Sequence, residues 1–196
     1  MVETSDEWIR ERTGIRERHV SVGETVVTLA SEAARKALEQ AGKRAEEIDL
    51  ILVATCSPEQ YLPCCACQVQ AAVGAVNALA FDVNAACSGF LFALNTADAY
   101  LRTGLAENAL VIGSEVLSKL VDWKDRGSCI LFGDGAGAVV VERCRAESWT
   151  AEYGNALPAA EKKRIPAAGI LGRALHSDGT GGGVLQCGAR ELTTPY

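Results

Sequence analysis

Three short apolar runs, each preceded by a segment with helical spacing, constrain the fold of this chain more than any other feature. Leu50-Ile51-Leu52-Val53-Ala54 follows Asp49 with no polar residue to offer solvent, the pattern of a strand covered on both faces of a parallel sheet. Leu79–Val83 and Ala109–Gly113 read as two further strands. Before the first run, Val26, Ala30, Ala33, Ala34, Ala37, Leu38 and Ala41 recur at three- and four-residue spacing, and Gly42 is placed as a stop. A second helix is predicted from Cys65 to Ala72, ended by Gly74, and a long third one from Cys87 to Arg102, ended by Gly104. Alternation of this kind predicts an α/β layered fold with a mostly parallel sheet. The chain has 31 Ala and 19 Gly among its 196 residues, about a quarter of the total, which suits helices packed closely on a sheet.

Beyond residue 114 the expected pattern changes. Lys119–Arg126 reads as a charged connection, Ser128–Phe132 as a strand, and Gly133–Gly137 as a tight turn into Ala138–Val141, with these two closing strands antiparallel. The glycines do not form a phosphate loop: no Lys-Ser/Thr pair is present, and Val139-Val140-Val141 follows where a helix is needed. Residues 143–168, centred on Lys162-Lys163-Arg164, read as an exposed insertion. Gly169–Leu175 is a candidate strand and Gly179–Gly183 a flexible loop.

Charge and composition exclude several functions. Nineteen basic against 25 acidic side chains leave a net charge of −6, so nothing broadly basic is available for a nucleic-acid backbone. No apolar run approaches the roughly 18 residues of a membrane span, and no secretory signal is visible, so a soluble cytoplasmic protein is expected. The eight cysteines are accordingly read as reduced thiols rather than a disulfide framework.

The strongest candidate site is Asp82-Val83-Asn84-Ala85-Ala86-Cys87-Ser88-Gly89-Phe90, where a strand turns directly into a long helix. Unpaired N–H groups and the dipole at a helix start favour a thiolate, lowering its pKa below the free value of about 8.5. The same groups suit an oxyanion at a thioester carbonyl. A packed cysteine at a helix N-terminus explains the geometry equally well. Cys64-Cys65-Ala66-Cys67 with Cys56 suggests a metal site, but Cys65 and Cys67 do not form a Cys-x-x-Cys pair and no His or second pair completes one, so zinc is not expected. Trp8, Arg10 and Arg12 form a cationic aromatic cluster suited to stacking a base and pairing a phosphate, or else a solvated helix face. His19 and His176, the two histidines, read as surface residues.

The order of the segments adds to this. Thr4-Ser5-Asp6-Glu7-Trp8-Ile9, Arg12-Thr13-Gly14-Ile15-Arg16-Glu17-Arg18, Ala66-Cys67-Gln68, the Asp82–Phe90 block, and Asp125-Arg126-Gly127 leading to Phe132-Gly133-Asp134-Gly135-Ala136-Gly137-Ala138 together closely resemble the N-terminal portion of the β-ketoacyl-acyl-carrier-protein synthase III family of the thiolase superfamily. The resemblance implies a thiolase-like layered α/β fold over residues 1–196, without the family's first strand and without its C-terminal half. It implies that Cys87 is the nucleophile that accepts an acyl group, acetyl most readily, from acyl-CoA. Condensation with malonyl-acyl-carrier protein would follow and initiate fatty-acid synthesis. It further implies that Trp8 and Arg126 flank the CoA adenine, that Arg12 and Thr4 lie near its phosphate and pantetheine end, and that Leu62 reaches across a homodimer into the partner's acyl pocket. No metal or organic cofactor is implied. The family's catalytic His and Asn belong to the C-terminal half, and neither His19 nor His176 matches that role. A polyketide or long-chain starter enzyme and a non-catalytic acyl-CoA-binding half-domain are the alternatives.

Overall fold

The computed structural model describes residues 2–144, 169–170 and 172–188. Its frame is a four-stranded sheet in the order β2 (Leu79–Val83), β1 (Leu50–Ala54), β3 (Asn108–Val116), β4 (Asp134–Glu142). β1 pairs in parallel with both neighbours, Leu52 lying between Phe81 and Val111, whereas β3 and β4 are antiparallel. All five β1 residues are buried, as a strand with neighbours on both edges and helices on both faces requires.

Side chains alternate across the strand. Leu50, Leu52 and Ala54 pack with Ala93, Ala97 and Leu101 of α4 (Gly89–Thr103), while Ile51 and Val53 pack with Val26, Ala30, Ala34 and Leu38 of α2 (Val26–Ala41) and with Cys65, Ala66 and Val69 of α3 (Cys65–Val73). Each buried Leu, Ile or Val contributes roughly 1.5–3 kcal/mol. The alanines let the helices sit close to the sheet. At Gly89 the approach is closest: a Cβ there would stand 3.2 Å from the Ala54 Cβ. Thr25 and Thr28 form a reciprocal capping box on α2, and Gly42 closes that helix at φ 63° with its N–H turned back to the Leu38 and Glu39 carbonyls. The Asp49 carboxylate accepts the Glu107 and Asn108 N–H groups at 2.9 and 3.0 Å, which sets β1 and β3 in step.

Several expectations are corrected. The third long helix begins at Gly89 rather than Cys87, and β3 extends beyond Gly113 to Val116. Ser128–Phe132 is not a strand. Asp125 caps a four-residue helix, α5 (Arg126–Cys129), and Cys129 and Ile130 are buried against Ile9 of α1 (Asp6–Thr13). Nor is Gly133–Gly137 a tight turn. Asp134–Gly137 already belongs to β4, with Gly137 opposite Gly113 and Val139 opposite Val111, so the antiparallel closing pair is β3 and β4. A ladder needs backbone groups, not side chains, and the long β3 supplies them. Among the described residues of 169–175 there is no strand, and 145–168, most of the expected insertion, lie outside the described residues. The expected flexible loop holds a 3₁₀ turn at Gly179–Gly181, capped by Asp178.

Ile170 and Arg173 are tied to α4. The Arg102 guanidinium donates to the Ile170 carbonyl at 2.8 Å, and Arg173 reaches Asn95 at 2.7 Å and the buried Asp98. No helix among the described residues is long and apolar enough to cross a membrane.

Candidate active site

The carboxyl ends of β1, β2 and β3 converge, the position where parallel sheets of α/β folds commonly place their chemistry. β2 ends at Val83, and Asn84 and Ala85 lead into a 3₁₀ turn, Ala86–Ser88, that carries Cys87 exposed at its centre. Ala86 stands at φ 45°, the one described residue other than glycine with positive φ, at a cost of order 1–3 kcal/mol. The junction persists because Gly89 is pressed on Ala54 just behind it. The Ser88 N–H donates to the Ala85 carbonyl at 3.1 Å, and the Gly89 N–H turns back to Ala86. These two amides are therefore taken by the turn. What lies behind Cys87 is the positive end of a 15-residue helix whose N-cap, Ser88, places no side-chain acceptor on it.

Just past the end of β1 is a carboxylate that the sequence did not single out. Glu115, near the end of β3, accepts from the Cys56 N–H at 2.8 Å, the Thr55 hydroxyl at 3.2 Å and the Ser57 hydroxyl; the Ser57 oxygen in turn accepts the Val116 N–H at 2.9 Å. The knot fixes the residues that follow β1. Burial pushes the Cys56 thiol up to about 11, with the Glu115 charge next in weight and smaller contributions from Cys87 and Cys187. The signal was available in principle, since a lone Glu interrupts an apolar strand at its carboxyl end.

A second group forms where α1 meets α5. The Arg126 guanidinium lies over the Trp8 ring at 3.8 Å from its centroid and that of Arg12 at 4.3 Å, so an aromatic plane and two cations meet at the surface. Ser5 caps α1 by accepting the Trp8 N–H at 3.1 Å, and Ile9, packed on Cys129 and Ile130, holds α1 against α5. Arg10, expected in this cluster, instead pairs with Asp6 at 3.2 Å. Thr4 is exposed just ahead of the α1 cap, and Leu62 is 84% exposed on the loop between β1 and α3. His19 and His176 are both exposed. Among the described residues no group of three His, Cys, Asp or Glu is arranged to hold a metal ion.

The stretch around Cys87, residues 81–155, matches the model of the 3-oxoacyl-[acyl-carrier-protein] synthase III family. A curated β-ketoacyl-[acyl-carrier-protein] synthase III from Clostridium acetobutylicum is 48% identical over 196 residues, which is all of this chain and 54% of that protein. The crystal structure of 3-oxoacyl-[acyl-carrier-protein] synthase III from Aquifex aeolicus VF5 superposes with a TM-score of 0.71 at 54% identity, covering 72% of this chain and 46% of that one. Over its whole length the chain resembles β-ketoacyl-acyl-carrier-protein synthase III. It spans about half the length of the curated relatives it matches. The priming β-ketosynthase of the R1128 polyketide pathway is also similar, with a TM-score of 0.69 at 40% identity over 71% of this chain and 42% of that one. The mixed sheet with helices on both faces is thus the thiolase-like architecture of synthase III.

Proposed function

We propose that Cys87 is the acyl acceptor of a synthase III-type condensing enzyme. Its sulfur attacks the carbonyl of an acyl-CoA, acetyl-CoA first among starters; the bond to the CoA sulfur breaks, and CoA leaves as the thiol with the proton Cys87 gives up. In the condensation, malonyl-acyl-carrier protein loses carbon dioxide. The electron pair left on its α-carbon attacks the acyl carbon, and the thiolate of Cys87 departs. The product is a 3-oxoacyl-acyl-carrier protein, the first intermediate of fatty-acid synthesis. Trp8, Arg12 and Arg126 suit the adenine and phosphates of CoA because they join a stacking plane to fixed positive charge. Thr4 would lie toward the pantetheine end, and Leu62, exposed on its loop, would enter the acyl pocket of a second copy in a homodimer.

The observation that carries this reading is the exposed Cys87 on a strained turn between β2 and α4. Incubation with acetyl-CoA followed by intact-mass and peptide analysis should find one acetyl group on Cys87, absent in Cys87→Ala and reduced about tenfold or more at subsaturating acetyl-CoA in Trp8→Ala. An unlabelled Cys87 would overturn the assignment. Neither His19 nor His176 matches the role of the family's catalytic His, so the 196-residue chain assayed alone with malonyl-acyl-carrier protein should hold the acyl group without releasing 3-oxoacyl product. The likeness to a priming ketosynthase supports a second reading, a polyketide starter enzyme. A panel of acyl-CoAs distinguishes the two by which chain labels Cys87 fastest.

A further inference from the structure

Cys64 and Cys67 flank the first turn of α3, and their spacing is Cys-x-x-Cys. Cys64 is the N-cap of α3, in extended conformation at φ −65° and ψ 157° with no side-chain cap bond, so its thiol is free to turn toward the helix. Cys67, one turn on, is hydrogen-bonded to it. That bond is the leading reason the Cys67 thiol is held above its ordinary value, followed by burial and the charges of Cys64 and Asp82. Both cysteines are partly exposed. Cys65 between them is not: it is fully buried and pushed up to about 12, by burial first and then by Asp82.

The surroundings favour movement of the thiols and not of the backbone. The Asp82 carboxylate accepts the Cys65 and Ala66 N–H groups at 2.9 and 2.7 Å, pinning the start of α3 to β2. The Gln68 amide donates to the Pro63 carbonyl at 3.0 Å and holds the incoming loop. The S–H contact from Cys67 to the Ala80 carbonyl is long, 3.6 Å, and costs little to give up.

We propose that Cys64 and Cys67 form a reversible dithiol–disulfide site that is oxidised by low-molecular-mass disulfides. The Cys64 sulfur, as thiolate, attacks one sulfur of the small disulfide; that S–S bond breaks, and the departing thiolate takes up the proton Cys64 lost. Cys67 then loses its proton and attacks the Cys64 sulfur, closing the intrachain bond and releasing the second small thiol. The protein gives up two electrons and two protons, and one small disulfide becomes two thiols. The site adjoins Leu62 and Pro63, so its oxidation state registers on the loop between β1 and α3.

The test uses the whole chain equilibrated with oxidised and reduced glutathione at graded ratios, quenched in acid, alkylated and mapped by mass spectrometry. The expected result is loss of two alkylatable thiols with a bond mapped between Cys64 and Cys67, both restored by excess reduced glutathione. Cys87→Ala should leave this transition unchanged, which separates it from acyl transfer. Cys67→Ser should trap glutathione on Cys64, and Cys64→Ser should leave Cys67 alkylatable. The parent chain alone decides the matter if a variant does not fold. Alkylation of both thiols at every ratio would overturn the proposal, and so would a disulfide mapped to Cys65, Cys56 or Cys87.

Discussion

Cys56 and Cys87 follow adjacent strands and come near one another, yet their surroundings differ. Cys87 is exposed on its turn, whereas Cys56 is half-buried with Glu115 against it. Desolvation and a neighbouring carboxylate both oppose a second negative charge, so Cys56 remains a thiol at pH values where an ordinary cysteine has ionised. Labelling with iodoacetamide should therefore modify Cys87 at pH 8 and spare Cys56, whose rate should climb about tenfold per pH unit and level off only near 11. Equal labelling of the two at pH 8, read by peptide mass, would contradict this. Nothing in the local sequence Thr55-Cys56-Ser57 announces the difference, because the carboxylate comes from a strand sixty residues on.

At the level of elements, the junction of β3, β4 and the N-terminal segment rests on one side chain. Asp134 opens β4, and its carboxylate accepts the Ser21 N–H at 2.7 Å, the Ser118 N–H at 2.8 Å and the Ser118 hydroxyl at 2.6 Å. Burial alone would raise its pKa, but the donors from Ser118 and Ser21 outweigh it and hold the group below the ordinary 3.8. A lowered carboxylate stabilises the folded state fully above the unfolded-state value, and that contribution disappears as the pH falls below 3.8 through the folded-state value. Asp134→Asn should cost about 1–2 kcal/mol at neutral pH, allowing for partial exposure, and should flatten the acid limb of a urea-denaturation series. An unchanged midpoint at pH 7 would remove Asp134 from this role. Sequence patterning reveals only the Ala138–Val141 part of β4, because Asp134 to Gly137 carries none of the alternation of a half-buried strand; only pairing with β3 extends the strand back to Asp134.

Across the whole molecule, the segment that carries Ile170 and Arg173 depends on Asp98, a buried carboxylate in α4 held by Arg102 at 2.8 Å and by Arg173. The two guanidinium groups make burial of that charge tolerable, and removing it leaves them without their partner. In Asp98→Ala, trypsin should cut at Arg173 at least tenfold faster while the sheet and its helices keep their thermal transition. Cleavage at the parental rate would show that other contacts hold the segment.

Local chemistry alone specified α2 with its Thr25 and Gly42 ends, the five apolar residues of β1, and Cys87 at a strand-to-helix junction, because spacing, caps and buried runs act over one or two turns of chain. The sequence grouped Trp8 with Arg12, and the family likeness implied Trp8 and Arg126 around one adenine, but bringing both guanidinium groups onto a single ring needed α1 packed on α5 through Ile9 and Ile130. The four-residue α5, the Asp134–Gly137 start of β4, and the Glu115 knot beside Cys56 likewise depend on partners far along the chain. Which backbone groups and which charges meet is decided by packing in three dimensions, where loop closure and burial weigh more than local preference.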